Sequence, residues 1–152
     1  MKFNLSYLPK SLQSPLELIR LEGEGFHLLL KIYFQGIAMN TLLDTGASKT
    51  VFDRNEISSK FPELSILELD ELSSGLGTNS MKGYMTQIHS IRIGNLEIGP
   101  MPISLLDLSH LQSAYSKLGL VHISGIIGND ILVKTGAMID YDKKIIRFNR
   151  IS

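Results

Sequence analysis

The chain has 152 residues, of which 43% are hydrophobic and 20% charged, a composition typical of one globular domain with a buried core and not of a disordered chain. Fifteen Lys and Arg residues balance fifteen Asp and Glu residues, so the formal net charge is zero. This balance argues against a general nucleic-acid binder, because phosphate binding requires a basic excess. The absence of cysteine excludes disulfide scaffolds, thiolate metal sites and thiol nucleophiles.

The sequence also indicates whether the protein is secreted or inserted in a membrane. The first ten residues contain polar side chains and a proline, unlike the apolar core of a secretory signal peptide. The longest apolar run, Phe26–Phe34, is interrupted by Lys31 and is far shorter than the roughly 20 residues that span a bilayer. A cytoplasmic protein without a membrane partner is therefore expected.

Most of the chain is predicted to form strands, separated by Gly, Pro, Asn and Asp. In chain order, the predicted strands are 16–22, 26–34, 37–43, 88–93, 96–98, 103–106, 137–140 and 144–148. The predicted turns between neighbouring strands are 23–25, 35–36, 94–95, 99–100 and 141–143.

The rest of the pattern predicts short helices that need tertiary packing to be stable. Capping patterns begin the first helix at Asp53 and the second at Ser109. These helices are expected to end near Lys60 and at Gly119, and a third is expected over 129–134. The predicted class is therefore all-β with two or three small helices.

The most informative motif is Leu-Leu-Asp-Thr-Gly-Ala-Ser at 42–48. An apolar strand here leads a single carboxylate, Asp44, into a tight turn. Gly46 allows a close approach of other backbone, which a chemical site and a plain turn both require. Taken alone, Asp-Thr-Gly is more often an ordinary turn than a catalytic site.

A second motif, Gly-Ile-Ile-Gly at 125–128, follows about eighty residues later. Taken alone, it is typical of a buried strand that ends at a turn. In this order and at this separation, the two motifs resemble the fingerprint of the retropepsin-like aspartic proteases. That fingerprint is two hydrophobic residues, Asp-Thr-Gly and Ala or Ser, followed later by two hydrophobic residues and Gly.

The resemblance covers 26–148 and is greatest to the single-lobe bacterial members. It implies an all-β acid-protease lobe, closed and barrel-like, in which the second motif packs beneath the first turn. It further implies a protease domain over 26–152. Residues 1–25 are expected to be an N-terminal extension, edge strand or hairpin.

The resemblance also implies the site residues. The implied catalytic residues are Asp44, Thr45 and Gly46, and the implied substrate-binding residues are Ala47, Ser48, Gly75, Leu76 and Gly77. In the family, a glycine-rich hairpin like 75–77 forms a flap over the substrate, the threonine links two catalytic loops, and the residue at Ser48 braces the turn. Retroviral members often carry a paired Asp and Arg where Ser48 and Asn129 stand, so retroviral bracing is not expected.

Peptide hydrolysis by carboxylates requires two of them to share one proton, because two adjacent carboxylates do not both ionise easily. The ionised acid then activates a water, and the protonated acid polarises the carbonyl. The chain has one Asp-Thr-Gly, and its other acidic residues lack this context. A symmetric homodimer would bring Asp44 of both subunits together. The sequence therefore predicts a homodimeric aspartic endopeptidase with protein or peptide substrates.

Three alternatives remain open: a non-catalytic peptide-binding or interaction module on the same fold, a monomeric lobe that is inactive until assembled, and a different fold with Asp44 in an ordinary turn. No cofactor or metal is predicted. The four histidines are scattered without ligand spacing, and there is no nucleophile elbow, Walker loop or complete dinucleotide-binding motif.

Overall fold

A computed structural model describes residues 11–23, 25–72 and 81–149. These residues form three helices, α1 (Arg54–Lys60), α2 (Ser109–Lys117) and α3 (Asn129–Lys134). The strands are β1 (Leu12–Pro15), β2 (Glu17–Arg20), β3 (Phe26–Phe34), β4 (Ile37–Leu43), β5 (Val51–Asp53), β6 (Ile66–Leu72), β7 (Met81–Ile88), β8 (Ile91–Ile93), β9 (Leu96–Ile98), β10 (Met101–Leu106), β11 (Gly125–Ile127), β12 (Met138–Asp140) and β13 (Ile145–Phe148). No helix among them is long and apolar enough to cross a membrane.

The larger sheet has the strand order β6-β7-β10-β5-β11-β4-β3-β8-β9, with β2 also paired to β3. A smaller sheet has the order β1-β13-β12. The predicted all-β class with short helices is confirmed, whereas no pair between β6 and β9 closes the sheet into a barrel among the described strands. Strands β1 and β2 pair with β13 and β3, and the domain boundary at residue 25 stays a prediction.

The three predicted helices are present, and the first begins as its capping pattern indicates. The side chain of Asp53 accepts a hydrogen bond from the Glu56 N–H at 2.9 Å. The second begins differently, because Leu108 is its N-cap and makes no side-chain cap bond. The Asp107 carboxylate instead accepts from the Ser109 N–H at 2.9 Å, so the local Asx turn, and not a capping box, precedes this helix.

The strand predictions are wrong in two respects. Strands β1, β5 and β6 and most of β7 were not expected, and the predicted strand 88–93 is interrupted between Ile88 and Ile91. The interruption arises from the neighbouring hairpin turn. The Gln35 side chain accepts from the His89 N–H at 2.8 Å, and the Gln35 N–H donates to the Ser90 carbonyl at 3.0 Å.

The core lies on both faces of the larger sheet, because successive side chains of a strand point to opposite faces. Along β3, Leu30, Ile32 and Phe34 are fully buried in the main core. The Phe34 ring packs against Phe52 at 4.8 Å between centroids. On the other face, Leu29 belongs to a smaller cluster that packs beneath α2, with the other buried members Ile19, Leu42, Tyr115 and Ile123.

The Glu56 side chain links helix α1 to the segment before β11 through hydrogen bonds. This side chain is only 10% exposed. It accepts from Lys60 Nζ at 2.7 Å and Ser124 Oγ at 2.8 Å, and it contacts His122 Nε2 at 2.9 Å. Burial alone would raise the pKa of Glu56, but these three hydrogen bonds outweigh it and hold the pKa below its ordinary value of 4.5.

This lowered pKa predicts how stability depends on pH. Because the folded state holds the Glu56 proton more weakly, its stabilisation is present above pH 4.5 and is lost as the pH falls below it. Glu56→Gln is expected to destabilise by about 1–2 kcal/mol at neutral pH, and the difference should shrink in acid. Urea unfolding across a pH series measures it, with Glu97→Gln on the exposed face of β9 as control. If the difference in unfolding free energy between Glu56→Gln and the unmodified protein did not change with pH, this account would be contradicted.

Candidate active site

The first motif begins at the end of β4 and continues into a tight turn. Asp44 directly follows this strand, and its N–H donates to the Ile127 carbonyl at 3.0 Å. The turn is closed by the Ala47 N–H, which donates to the Asp44 carbonyl at 3.2 Å. The Gly46 N–H donates to the Asp44 carboxylate at 2.8 Å and so fixes its orientation. Asp44 itself is solvent-exposed.

The second motif lies directly behind this turn, as the resemblance implies. Strand β11 runs parallel to β4, with Ile127 opposite Leu43. Gly128 then passes so close to the loop that a Cβ there would lie 2.7 Å from the Lys49 backbone and 2.8 Å from the Ala47 carbonyl. Only glycine permits this approach without a backbone shift, so the second motif sets the position of the Asp44 loop.

Asn129 braces the loop in a way that the sequence did not indicate. Its side-chain Nδ2 donates to the Thr45 carbonyl at 2.7 Å, and its backbone N–H donates to the Ala47 carbonyl at 2.8 Å. By contrast, the Ser48 side chain is exposed and makes no hydrogen bond within the part of the chain that the structure describes. The expected bracing of the turn therefore comes from Asn129, which stands where retroviral members often carry Arg.

Asp130 and Thr50 add a second link that sequence reasoning missed. The Asp130 carboxylate accepts from the Thr50 N–H at 2.9 Å and from the Thr50 hydroxyl at 2.7 Å. Thr50 Oγ1 in turn accepts from the Gly128 N–H at 3.0 Å. An Asp near the start of a helical pattern, such as Asp130, is also common in ordinary helices. The sequence therefore did not indicate that Asp130 would bind Thr50.

The expected flap is only partly within the described residues. Gly75, Leu76 and Gly77 lie outside them. The strands on either side, β6 and β7, pair in antiparallel fashion, and Gly83 pairs with Leu69 in that ladder.

A groove of about 290 Å³ lies beside the Asp44 loop. It is lined by Phe26, His27, Leu28, Leu42, Leu43, Asp44, Thr45 and Tyr141. Among these lining residues, Asp44 is the one acid, so a single chain offers one carboxylate together with aromatic and aliphatic walls. The groove therefore places one carboxylate beside apolar surface, whereas two-acid chemistry requires a second Asp44.

A family model described as aspartyl protease matches residues 30–131, a span that includes both motifs. The chain belongs to this aspartyl protease family. No match was found among curated protein sequences.

Solved structures agree with the assignment of this aspartyl protease to the retropepsin-like fold. The retroviral protease-like domain of Ddi1 from Leishmania major is 15% identical and covers 82% of this chain and 90% of its own, with a TM-score of 0.54. A retropepsin-like aspartic protease from Rickettsia conorii is 19% identical, with coverages of 93% and 97% and a TM-score of 0.51. The EIAV protease complexed with an inhibitor is 16% identical, with coverages of 80% and 99% and a TM-score of 0.54. The resemblance inferred from the sequence is confirmed, and the fold is that of a single retropepsin-like lobe.

Proposed function

We propose that this aspartyl protease is an endopeptidase whose active site forms between two copies of the chain. The observation that carries the proposal is the exposed Asp44 carboxylate, which lines a groove of about 290 Å³ and lies on a loop packed against the second motif. Each chain supplies one Asp-Thr-Gly. A two-fold axis beside Thr45 would bring the second Asp44 to the first, as an isologous contact does for any residue near its axis.

In this proposal the two Asp44 carboxyl groups share one proton and hold a water between them. The ionised group takes a proton from the water as its oxygen attacks the peptide carbonyl carbon, and the protonated group gives its proton to the carbonyl oxygen. The first acid, now protonated, gives its proton to the leaving nitrogen, the C–N bond of the tetrahedral intermediate breaks, and a hydroxyl of the intermediate returns a proton to the second acid. The products are a carboxylic acid and an amine, and both acids return to their starting state.

The other loop residues take supporting roles in the proposal. Thr45 links the two loops across the axis, and Gly46 presents backbone to the substrate while its N–H orients Asp44. Ala47 and Ser48 line the substrate path, and Gly75, Leu76 and Gly77 are proposed to cover the bound peptide. We also propose that the protein acts in the cytoplasm.

Digestion of a denatured protein mixture tests the proposal, with and without a pepstatin-type inhibitor. We expect new fragments that the inhibitor abolishes, together with a dimer in sedimentation experiments at the concentration of the assay. Peptide binding without cleavage in a sample shown to be dimeric would instead favour a non-catalytic module. A monomer that cleaves with unchanged specific activity on dilution would contradict the shared site.

A further inference from the structure

The groove beside Asp44 contains a histidine that is held by a buried tyrosine from another element. His27 lies near the start of β3 and is exposed, whereas Tyr115 lies on α2 and is 3% exposed. The His27 Nδ1 and the Tyr115 hydroxyl are hydrogen-bonded, and the two rings stack with centroids 5.9 Å apart. Of these two residues, His27 lines the groove and Tyr115 does not.

This contact bears on which imidazole nitrogen carries the proton, because a phenol can donate to Nδ1 or accept from it. The Tyr115 hydroxyl has no other hydrogen-bond partner in the described part of the chain, so its single proton is available only to His27 Nδ1. Burial raises the pKa of Tyr115 and keeps its phenol protonated. With the phenol as the donor, which satisfies its buried proton, neutral His27 accepts at Nδ1 and carries its own proton on Nε2.

The Nε2–H is a free donor among the residues that the structure describes, because no hydrogen bond is made by that nitrogen. His27 lines the same groove as Asp44, whose carboxylate repels an anionic side chain held nearby. A neutral acceptor, such as the carboxamide of Asn or Gln, suits this donor better than a carboxylate. A lysine side chain offers only donors and cannot satisfy it.

We propose that His27 is a specificity residue that binds a carboxamide side chain of the substrate through Nε2–H, and that Tyr115 is the positioning residue that fixes its tautomer. The inference rests on the proposed function, since it names the class of peptide that the same groove takes. Phe26 and Tyr141, which are 53% and 63% exposed, lie along the groove and supply apolar contact to the neighbouring parts of the peptide.

Peptide binding tests the inference apart from catalysis. Asp44→Asn protein prevents turnover, and fluorescence anisotropy then measures its affinity for labelled octapeptides that carry Gln, Leu or Lys at each position in turn. At one position we expect Gln to bind about tenfold more tightly than Leu, as one net hydrogen bond allows. Adding His27→Leu should abolish this preference, whereas adding His27→Gln, which keeps an N–H donor, should retain it.

A second measurement follows the tautomer itself. Nitrogen-15 NMR of the imidazole is expected to show the proton of His27 on Nε2 in the unmodified protein and a mixture of tautomers in Tyr115→Phe. The Tyr115→Phe change should also reduce the Gln preference at the same position. A purely structural role for Tyr115 would lower stability and leave the tautomer unchanged.

The outcomes separate the inference from the function on which it rests. Equal affinity for the Gln and Leu peptides at every position, or a proton on Nδ1, would overturn the inference even if the protein cleaves. A lack of binding to all of the peptides would overturn it as well. If Asp44→Asn protein binds the Gln peptide selectively but the unmodified protein cleaves no peptide, the inference is sustained and the proposed proteolysis is overturned.

Discussion

Asp44→Asn protein is expected to lose peptide hydrolysis by at least about a thousandfold while it keeps its fold. The carboxamide has the shape of the carboxylate, and its oxygen can still accept from the Gly46 N–H. The loop is therefore expected to keep its conformation. The carboxamide cannot, however, take a proton from water or share one with a second acid. Cleavage rate and urea unfolding measured on the same sample separate the two effects, and cleavage at the unmodified rate would contradict a role for Asp44.

Mixing the variant with the unmodified protein tests whether two Asp44 residues form one site. If subunits exchange freely, an equal mixture contains about one quarter unmodified dimers, and activity at constant total protein should fall to about that fraction. A site complete within one chain would retain about one half instead. Gel electrophoresis of a tagged subunit verifies the exchange, and a linear dependence on the unmodified fraction would exclude the shared site.

Features that depend on nearby residues could be predicted from the sequence. The turn at Gln35 and Gly36 was predicted, and both residues have positive φ, 43° and 87°, as a tight hairpin turn requires. The apolar run that forms β3 and the capping of α1 by Asp53 are similarly local. The two motifs also belong to this group, since their order and spacing suffice to indicate the family.

Features that depend on pairing between distant segments could not be predicted. Strand β1 contains Ser14 and Pro15, which weaken a strand signal, and it forms because Leu12 pairs with Phe148. Strand β6 mixes acidic and apolar residues without a regular alternation and gains its ladder from β7. The same limit applies to the site, because Asn129 meets Thr45 across 84 residues of sequence. A helix start and an ordinary loop give no local sign of such a contact.

These long-range contacts converge on the backbone behind Asp44, where Gly128 is closely packed against the backbone of Ala47 and Lys49. Gly128 has a φ of −112°, a value open to any residue, so its backbone angles do not require glycine. The obstacle to a side chain is steric. A Cβ at this position would approach the Lys49 carbonyl carbon and oxygen and the Ala47 carbonyl oxygen, and all three are backbone atoms that cannot rotate away.

Gly128→Ala is therefore expected to cost about 3 kcal/mol of stability, near the upper end for overpacking. Because the strain falls on the loop that Asn129 and Thr50 hold, cleavage should decrease even under conditions in which the variant is fully folded. Urea unfolding and single-turnover cleavage at low temperature measure both effects. Gly25→Ala is the matched control, since its nearest neighbour outside the adjacent residues is a Leu21 side-chain atom at 3.8 Å, an ordinary contact. If Gly128→Ala were as stable and active as this control, the second motif would not set the position of Asp44.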